Sequence, residues 1–165
     1  MVSTLKMKKL LYIIPVLALL MCSCKQDKWM DWKLQNEMWL AENAKKENVQ
    51  ITPSGLQYKV LYNGNQYDAK PDDASTVLVS YTGTLINGYK FDSSSSTSFP
   101  LSGVVKGFAE GLKKIHVHGD IELYIPQELA YADSLPTTEG SLSASFIPPY
   151  STLIFQVHLY GVSKQ

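Results

Sequence analysis

Between Val77 and Gly83 the chain sets Val77, Val79, Tyr81 and Gly83 on alternate positions, and Asn87-Gly88 follows. Period-two alternation puts every second side chain on one face of a strand, and Asn-Gly supplies the positive φ that a tight turn needs. The same period recurs elsewhere. Pro53 and Gly55 break the helical pattern before them, after which Leu56, Tyr58, Val60 and Tyr62 alternate. Strand signals resume at Ile121–Ile125 and stop at Pro126, and in Thr152–Tyr160 the residues Leu153, Phe155, Val157 and Leu159 share one side. Only Val104–Leu112 reads as a short helix in this region, and the Ser93–Ser98 run reads as a low-complexity loop. The pattern predicts an α+β fold, an antiparallel twisted β-sheet wrapped on one short helix.

The first residues do not read as part of that fold. Lys6, Lys8 and Lys9 precede an apolar run, Leu10–Met21, of about a dozen residues, too short for a membrane span and of the length of a secretory leader. Cys22 and Cys24 are the chain's two cysteines. An extended CxC holds its Cα atoms roughly 7 Å apart, which suits a disulfide poorly. The junction resembles that of a bacterial lipoprotein, which implies cleavage before a lipidated cysteine. Ser23 favours Cys24 over Cys22, which follows Met21. An ordinary leader with incidental cysteines is the alternative, and Met7 is a second possible start. The expected division is 1–23 leader, 24–52 helical extension and 53–165 folded domain.

Past the leader, twelve lysines face fifteen acids, a net charge of about −3, and the chain has no arginine. Without a basic stripe, nucleic acid is not an expected partner. No second apolar run is long enough to span a bilayer, so membrane attachment is expected through the lipid alone. Asp27–Asn48 holds no Gly or Pro and reads as one amphipathic helix of roughly five turns. Trp29, Trp32, Asn36, Trp39 and Asn43 form one stripe at helical spacing, with Leu34, Met38 and Ala41 on a neighbouring one. So much tryptophan is expected to dock, either on the chain's own domain or on a second copy in a homodimer.

Four blocks then stand in order: VLVSYTGTLINGYKFDSS, FPLSGVVKGFAEGL, LYIPQELAYA and FIPPYSTLIFQVHL. Together, over roughly Pro53 to Val162, they resemble the FKBP-type peptidyl-prolyl isomerases, and the lead-in SGLQYKVL resembles the secreted bacterial members. The resemblance implies an FKBP-like fold with a shallow apolar pocket that receives a proline ring of a polypeptide substrate. It implies catalytic roles for Tyr81, Phe91, Asp92 and Tyr131, and substrate contacts from Val104, Val105, Phe108, Ile147 and Phe155. Taken singly, Tyr81, Val104, Val105 and Phe155 would also serve as core residues, and Asp92 would also cap a serine-rich turn.

Rotation about an X–Pro amide breaks no bond, so no nucleophile, cofactor or metal is expected. Three departures stand out: Phe108 replaces the usual tryptophan, Ala132 follows Tyr131 where glycine is usual, and the loop Asp133–Phe146 diverges. The absent arginine also removes a salt-bridge partner that some members give the aspartate. His116 and His118 form an HxH expected on a strand edge, as a solvated pair rather than a metal site, and His158 stands alone. The leading function is peptidyl-prolyl isomerisation. The alternatives are an FKBP-fold binding module or chaperone with little turnover, and a lipoprotein that only presents loops. Mass spectrometry of the membrane fraction is expected to find diacylglycerol on Cys24. A modified Cys22 or an unmodified soluble chain contradicts the assignment.

Overall fold

A computed structural model describes residues 29–132 and 146–164, so the leader, Cys24 and most of the divergent loop lie outside the described residues. The chain divides into two compact units between Met30 and Asp31. Of the first, only Trp29 and Met30 are described; the second carries the sheet and the helices packed on it.

Six strands form one antiparallel sheet: β1 (Gln50–Ile51), β2 (Gln57–Tyr62), β3 (Ser75–Thr84), β4 (Lys90–Pro100), β5 (Asp120–Ile125) and β6 (Leu153–Lys164), in the order β1-β2-β5-β6-β3-β4. Among the described residues two α-helices accompany it, α1 (Met30–Asn43) and α2 (Lys106–Leu112). The α+β class and the helix-on-sheet arrangement are those the alternation predicts. Val77 and Val79 on β3, and Leu153, Phe155, Val157 and Leu159 on β6, are buried on the face shared with Ile121, Leu123 and Ile125 of β5. The Asn87-Gly88 turn forms as expected: Gly88 sits at φ +82°, and the Tyr89 N–H donates to Asn87 Oδ1 at 3.0 Å.

Helix α2 lies on the sheet at unusually close range. Gly107, Phe108, Gly111 and Leu112 are its buried residues. A Cβ added to Gly107 would collide with Ile125, and one added to Gly111 would collide with Leu123. The two glycines therefore set the depth at which Phe108 enters the core. The helix starts at Lys106, two residues later than the sequence suggests, because Val104 and Val105 stay extended (ψ 166° and 145°) after the Leu101–Gly103 3-10 turn.

The stripe on α1 faces the domain as its spacing implies. Asn36 and Asn43 are its buried residues, at 2% and 0% exposure, with Trp32 and Trp39 half-buried. Asn43 Nδ2 donates to Gln57 Oε1 at 3.0 Å, Gln57 Nε2 donates to the Leu40 carbonyl at 3.0 Å, and Trp39 meets Tyr124 at 5.7 Å between ring centroids. Trp32 and Trp39 thus dock on the chain's own domain. Leu34 and Met38 point outward, 55% and 61% exposed. The helix ends at Asn43, earlier than its spacing suggests, and turns lead to Asn48 in the left-handed region at φ +65°.

Two expectations are corrected. The serine run is not a loop: Ser93–Ser98 lies within edge strand β4, paired to β3. Composition suggested a loop because serine is a weak strand former. At an edge, though, one side of the backbone faces solvent and polar side chains there hinder sheet-to-sheet association. The His116/His118 pair is not on a strand but in the turn between α2 and β5, with His118 at φ +66° and its Nδ1 3.2 Å from Asp68 Oδ2.

Gly111→Ala is expected to lower unfolding stability by about 1–2 kcal/mol despite alanine's better helix propensity, since overpacking a core typically costs more than that gain. Chemical denaturation checks this; an unchanged or raised midpoint contradicts the close packing of α2 on the sheet.

Candidate active site

The register of β4 explains how Phe91 and Asp92 come to serve the same side of the sheet. Gly83 pairs with Asp92 and Thr84 with Lys90, so Phe91 is an extra residue in a bulge. Strict alternation would send Phe91 and Asp92 to opposite faces. The bulge instead lets Phe91 enter the core, where it is buried, and leaves Asp92 beside Tyr81. Gly83 makes room: a Cβ there would fall 2.6 Å from Phe91 Cζ and 2.9 Å from Phe155 Cε1. Phe91 and Phe155 meet edge to face at 5.5 Å between centroids, and Phe155 meets Phe108 at 5.1 Å.

Over these rings opens a cavity of about 260 Å³, lined by Tyr81, Asp92, Phe99, Gly103, Val104, Val105, Phe108, Tyr131 and Phe155. Seven of the nine residues expected from the sequence therefore stand in its wall. Phe91 and Ile147, both buried in the core, do not: Phe91 backs the Phe155 ring from behind. Phe99 and Gly103 were missed. Both lie in the FPLSGVVKGFAEGL block, where the resemblance implies roles only for Val104, Val105 and Phe108. Phe99 packs on Tyr81 at 5.9 Å. Phe108, 4% exposed, is wedged against Tyr81 and Phe155 as the floor.

The polar groups are few. Tyr81 Oη donates to Asp92 Oδ2 at 2.6 Å, and the Ser93 N–H donates to Asp92 Oδ1 at 2.8 Å. Tyr81 and the strand backbone thus hold the carboxylate in a chain without arginine. Burial, and then the bond to Asp92, push the Tyr81 phenol well above the usual tyrosine range. Burial, and then the charge of Asp92, raise Tyr131 as well. Ala132, next to Tyr131, adopts φ +55°, a left-handed conformation that costs a residue with a Cβ roughly 1–2 kcal/mol. Among the described residues no three His, Cys, Asp or Glu side chains cluster as metal ligands, and no helix is long and apolar enough to cross a membrane.

Residues 67–160 match the sequence profile of the FKBP-type peptidyl-prolyl cis-trans isomerases, in the order and over the strands that build this cavity. The chain belongs to that family. Residues 21–60 match the domain found amino-terminal to FKBP-type isomerases. The chain is 46% identical over 128 residues to the FKBP-type 22 kDa peptidyl-prolyl cis-trans isomerase of Escherichia coli, a match over 75% of this chain and 58% of that one. It is 38% identical to the outer membrane protein MIP of Legionella longbeachae, over 80% of this chain and 54% of that one. The crystal structure of FkpA from Escherichia coli superposes with a TM-score of 0.71 at 34% identity, covering 99% of this chain and 74% of that one. The chain spans little more than half the length of these two curated relatives.

Raised phenols fix a sign. A tyrosine whose folded value exceeds its unfolded value near 10 stabilises the fold fully below about pH 10 and loses that contribution as pH rises through the folded value. Phenolate absorbance is therefore expected to lag behind that of free tyrosine, and the lag is expected to shrink in Tyr81→Phe. A chain whose tyrosines all ionise together near pH 10 contradicts the bond between the partly buried Tyr81 and Asp92.

Proposed function

We propose that this FKBP-type chain is a working peptidyl-prolyl cis–trans isomerase that assists folding of exported polypeptides in a bacterial cell envelope. The observation that carries the reading is the convergence of five aromatic rings on a small cavity whose polar groups are the Tyr81–Asp92 pair and the Tyr131 hydroxyl. The barrier to X–Pro rotation, about 20 kcal/mol, comes from amide resonance. At the twisted transition state that resonance is lost, and the amide carbonyl and nitrogen become less dipolar. A dry aromatic pocket therefore favours the twisted amide over the planar one.

In this reading Phe108 and Phe155 form the floor on which the proline ring sits, with Phe99, Val104 and Val105 as its walls. Tyr131 at the mouth donates its hydroxyl to a substrate carbonyl. Asp92 holds Tyr81 in place and polarises the rim, and the buried Phe91 and Ile147 support the walls from behind. No cofactor takes part. The match over residues 21–60 and the relative named as an outer membrane protein support a mature chain running from lipidated Cys24, with a helical extension 24–52 and an isomerase domain 53–165. Attachment is through the lipid. Because Trp32 and Trp39 are taken up by the chain's own domain, a homodimer through the extension would use the outer stripe of Leu34, Met38 and Ala41.

A second reading, a binding module or chaperone with little turnover, is favoured by one feature: the phenyl ring of Phe108 where the family usually carries indole.

Peptide turnover separates the two. Asp92→Val and Tyr131→Phe are each expected to slow isomerisation of a Leu-Pro or Phe-Pro peptide roughly tenfold, about 1.4 kcal/mol. Phe108→Trp is expected to raise turnover several-fold, on the order of 1 kcal/mol of added apolar contact. A wild type no faster than the uncatalysed rate, with no rescue in Phe108→Trp, leaves the binding reading.

A further inference from the structure

Helix α1 grips one short segment at three successive residues. Lys33 Nζ stands 5.3 Å from the centroid of the Tyr150 ring, Trp32 Nε1 donates to Ser151 Oγ at 2.9 Å, and the Thr152 N–H donates to Asn36 Oδ1 at 2.7 Å. The Ser151 hydroxyl in turn donates to the Pro148 carbonyl at 2.7 Å. The Thr152–Asn36 bond is buried and the two Ser151 bonds are part-buried, with Asn36, Ser151 and Thr152 themselves buried, so breaking one leaves a desolvated partner.

The gripped segment reaches the cavity wall through backbone. The Tyr150 N–H donates to the Ala132 carbonyl at 3.1 Å, and the Ala132 N–H donates to the Gln127 carbonyl at 2.8 Å. Ala132 at φ +55° and Tyr150 at φ +64° both hold left-handed backbone without being glycine. Such conformations persist only where the surroundings enforce them. Ala132 is covalently next to Tyr131, the exposed residue at the mouth of the cavity.

We propose that α1 is a positioning element of the proline pocket: through Trp32, Asn36 and Ser151 it holds the Tyr150–Ala132 clasp and so fixes Tyr131 against the cavity. The catalytic consequence rests on the isomerase reading; the positioning of Tyr131 does not. Residues outside the isomerase core thus set the geometry of a group at its mouth. A load on α1, such as a partner or a second copy seated on its outer stripe, is felt at Tyr131.

The test uses the full mature chain with Trp32→Phe, which keeps the ring and removes the donor, and Ser151→Ala, with Ser151→Thr restoring the hydroxyl. Tyrosine ionisation is followed by ¹³Cζ NMR, with the Tyr131 signal assigned through Tyr131→Phe. Both variants are expected to bring Tyr131 ionisation down toward the ordinary tyrosine value. They are also expected to lower kcat/KM roughly three- to tenfold, an effect that vanishes in a Tyr131→Phe background because both changes act through one group. Ser151→Thr is expected to restore both readouts. Lowered thermal stability with an unmoved Tyr131 signal overturns the proposal and leaves α1 as packing alone; so do equal losses of kcat/KM in both backgrounds. If the wild type has no turnover, the isomerase reading fails and the Tyr131 signal by itself decides the positioning.

Discussion

The Phe155 ring on β6 is the hub on which the pocket depends. It meets Phe91 edge to face at 90°, Phe108 at 74° and Tyr81 at a tilt of 57°. Edge-to-face pairs add about 0.5–1.5 kcal/mol beyond their area, and this set locks the orientation of every ring beneath the cavity. The hub exists because Gly83, directly opposite Phe155 across the β3–β6 ladder, has no side chain there. One bulge on β4 then brings Phe91 into the stack and leaves Asp92 at the rim. Gly107 and Gly111 do the same from below, lowering α2 until Phe108 reaches Phe155. The pocket is thus a consequence of missing Cβ atoms around one aromatic residue.

Charge is arranged with similar economy. The chain has no arginine, so Asp92 is held by neutral donors: a phenol and a backbone N–H. The carboxylate is thus held without a buried ion pair and its desolvation cost. Burial first, and Asp92 after it, raise the two neighbouring phenols above the usual tyrosine range.

Much of this was legible in the residues. Alternation gave β2, β3 and β6, because a half-buried strand must present one apolar face, and a run of strand formers ending at Pro126 gave β5. The α1 stripe was read correctly even though its most buried members, Asn36 and Asn43, are polar: helical spacing marked their face, and hydrogen bonds to Thr152 and Gln57 satisfy them there. The family blocks name seven residues that line the cavity, while Phe91 and Ile147 lie buried in the core cluster, since motif order does not tell a lining residue from a buried neighbour. What failed was whatever depended on partners distant in sequence. The serine run became a strand because β3 offers it a ladder. Phe99 entered the wall because pairing opposite Val77 brings it near Tyr81, and no periodicity within β4 announces that.

In the proposed reading, an apolar pocket turns X–Pro amides by favouring the twisted state and requires no proton transfer in the rate-limiting step. Exchange spectroscopy on a Leu-Pro peptide with catalytic amounts of the wild-type chain, in water and in heavy water, tests this most directly. The expected result is cis–trans exchange far faster than the uncatalysed tens to hundreds of seconds, at the same rate in both solvents. A marked slowing in heavy water, or exchange no faster than the peptide alone, contradicts it.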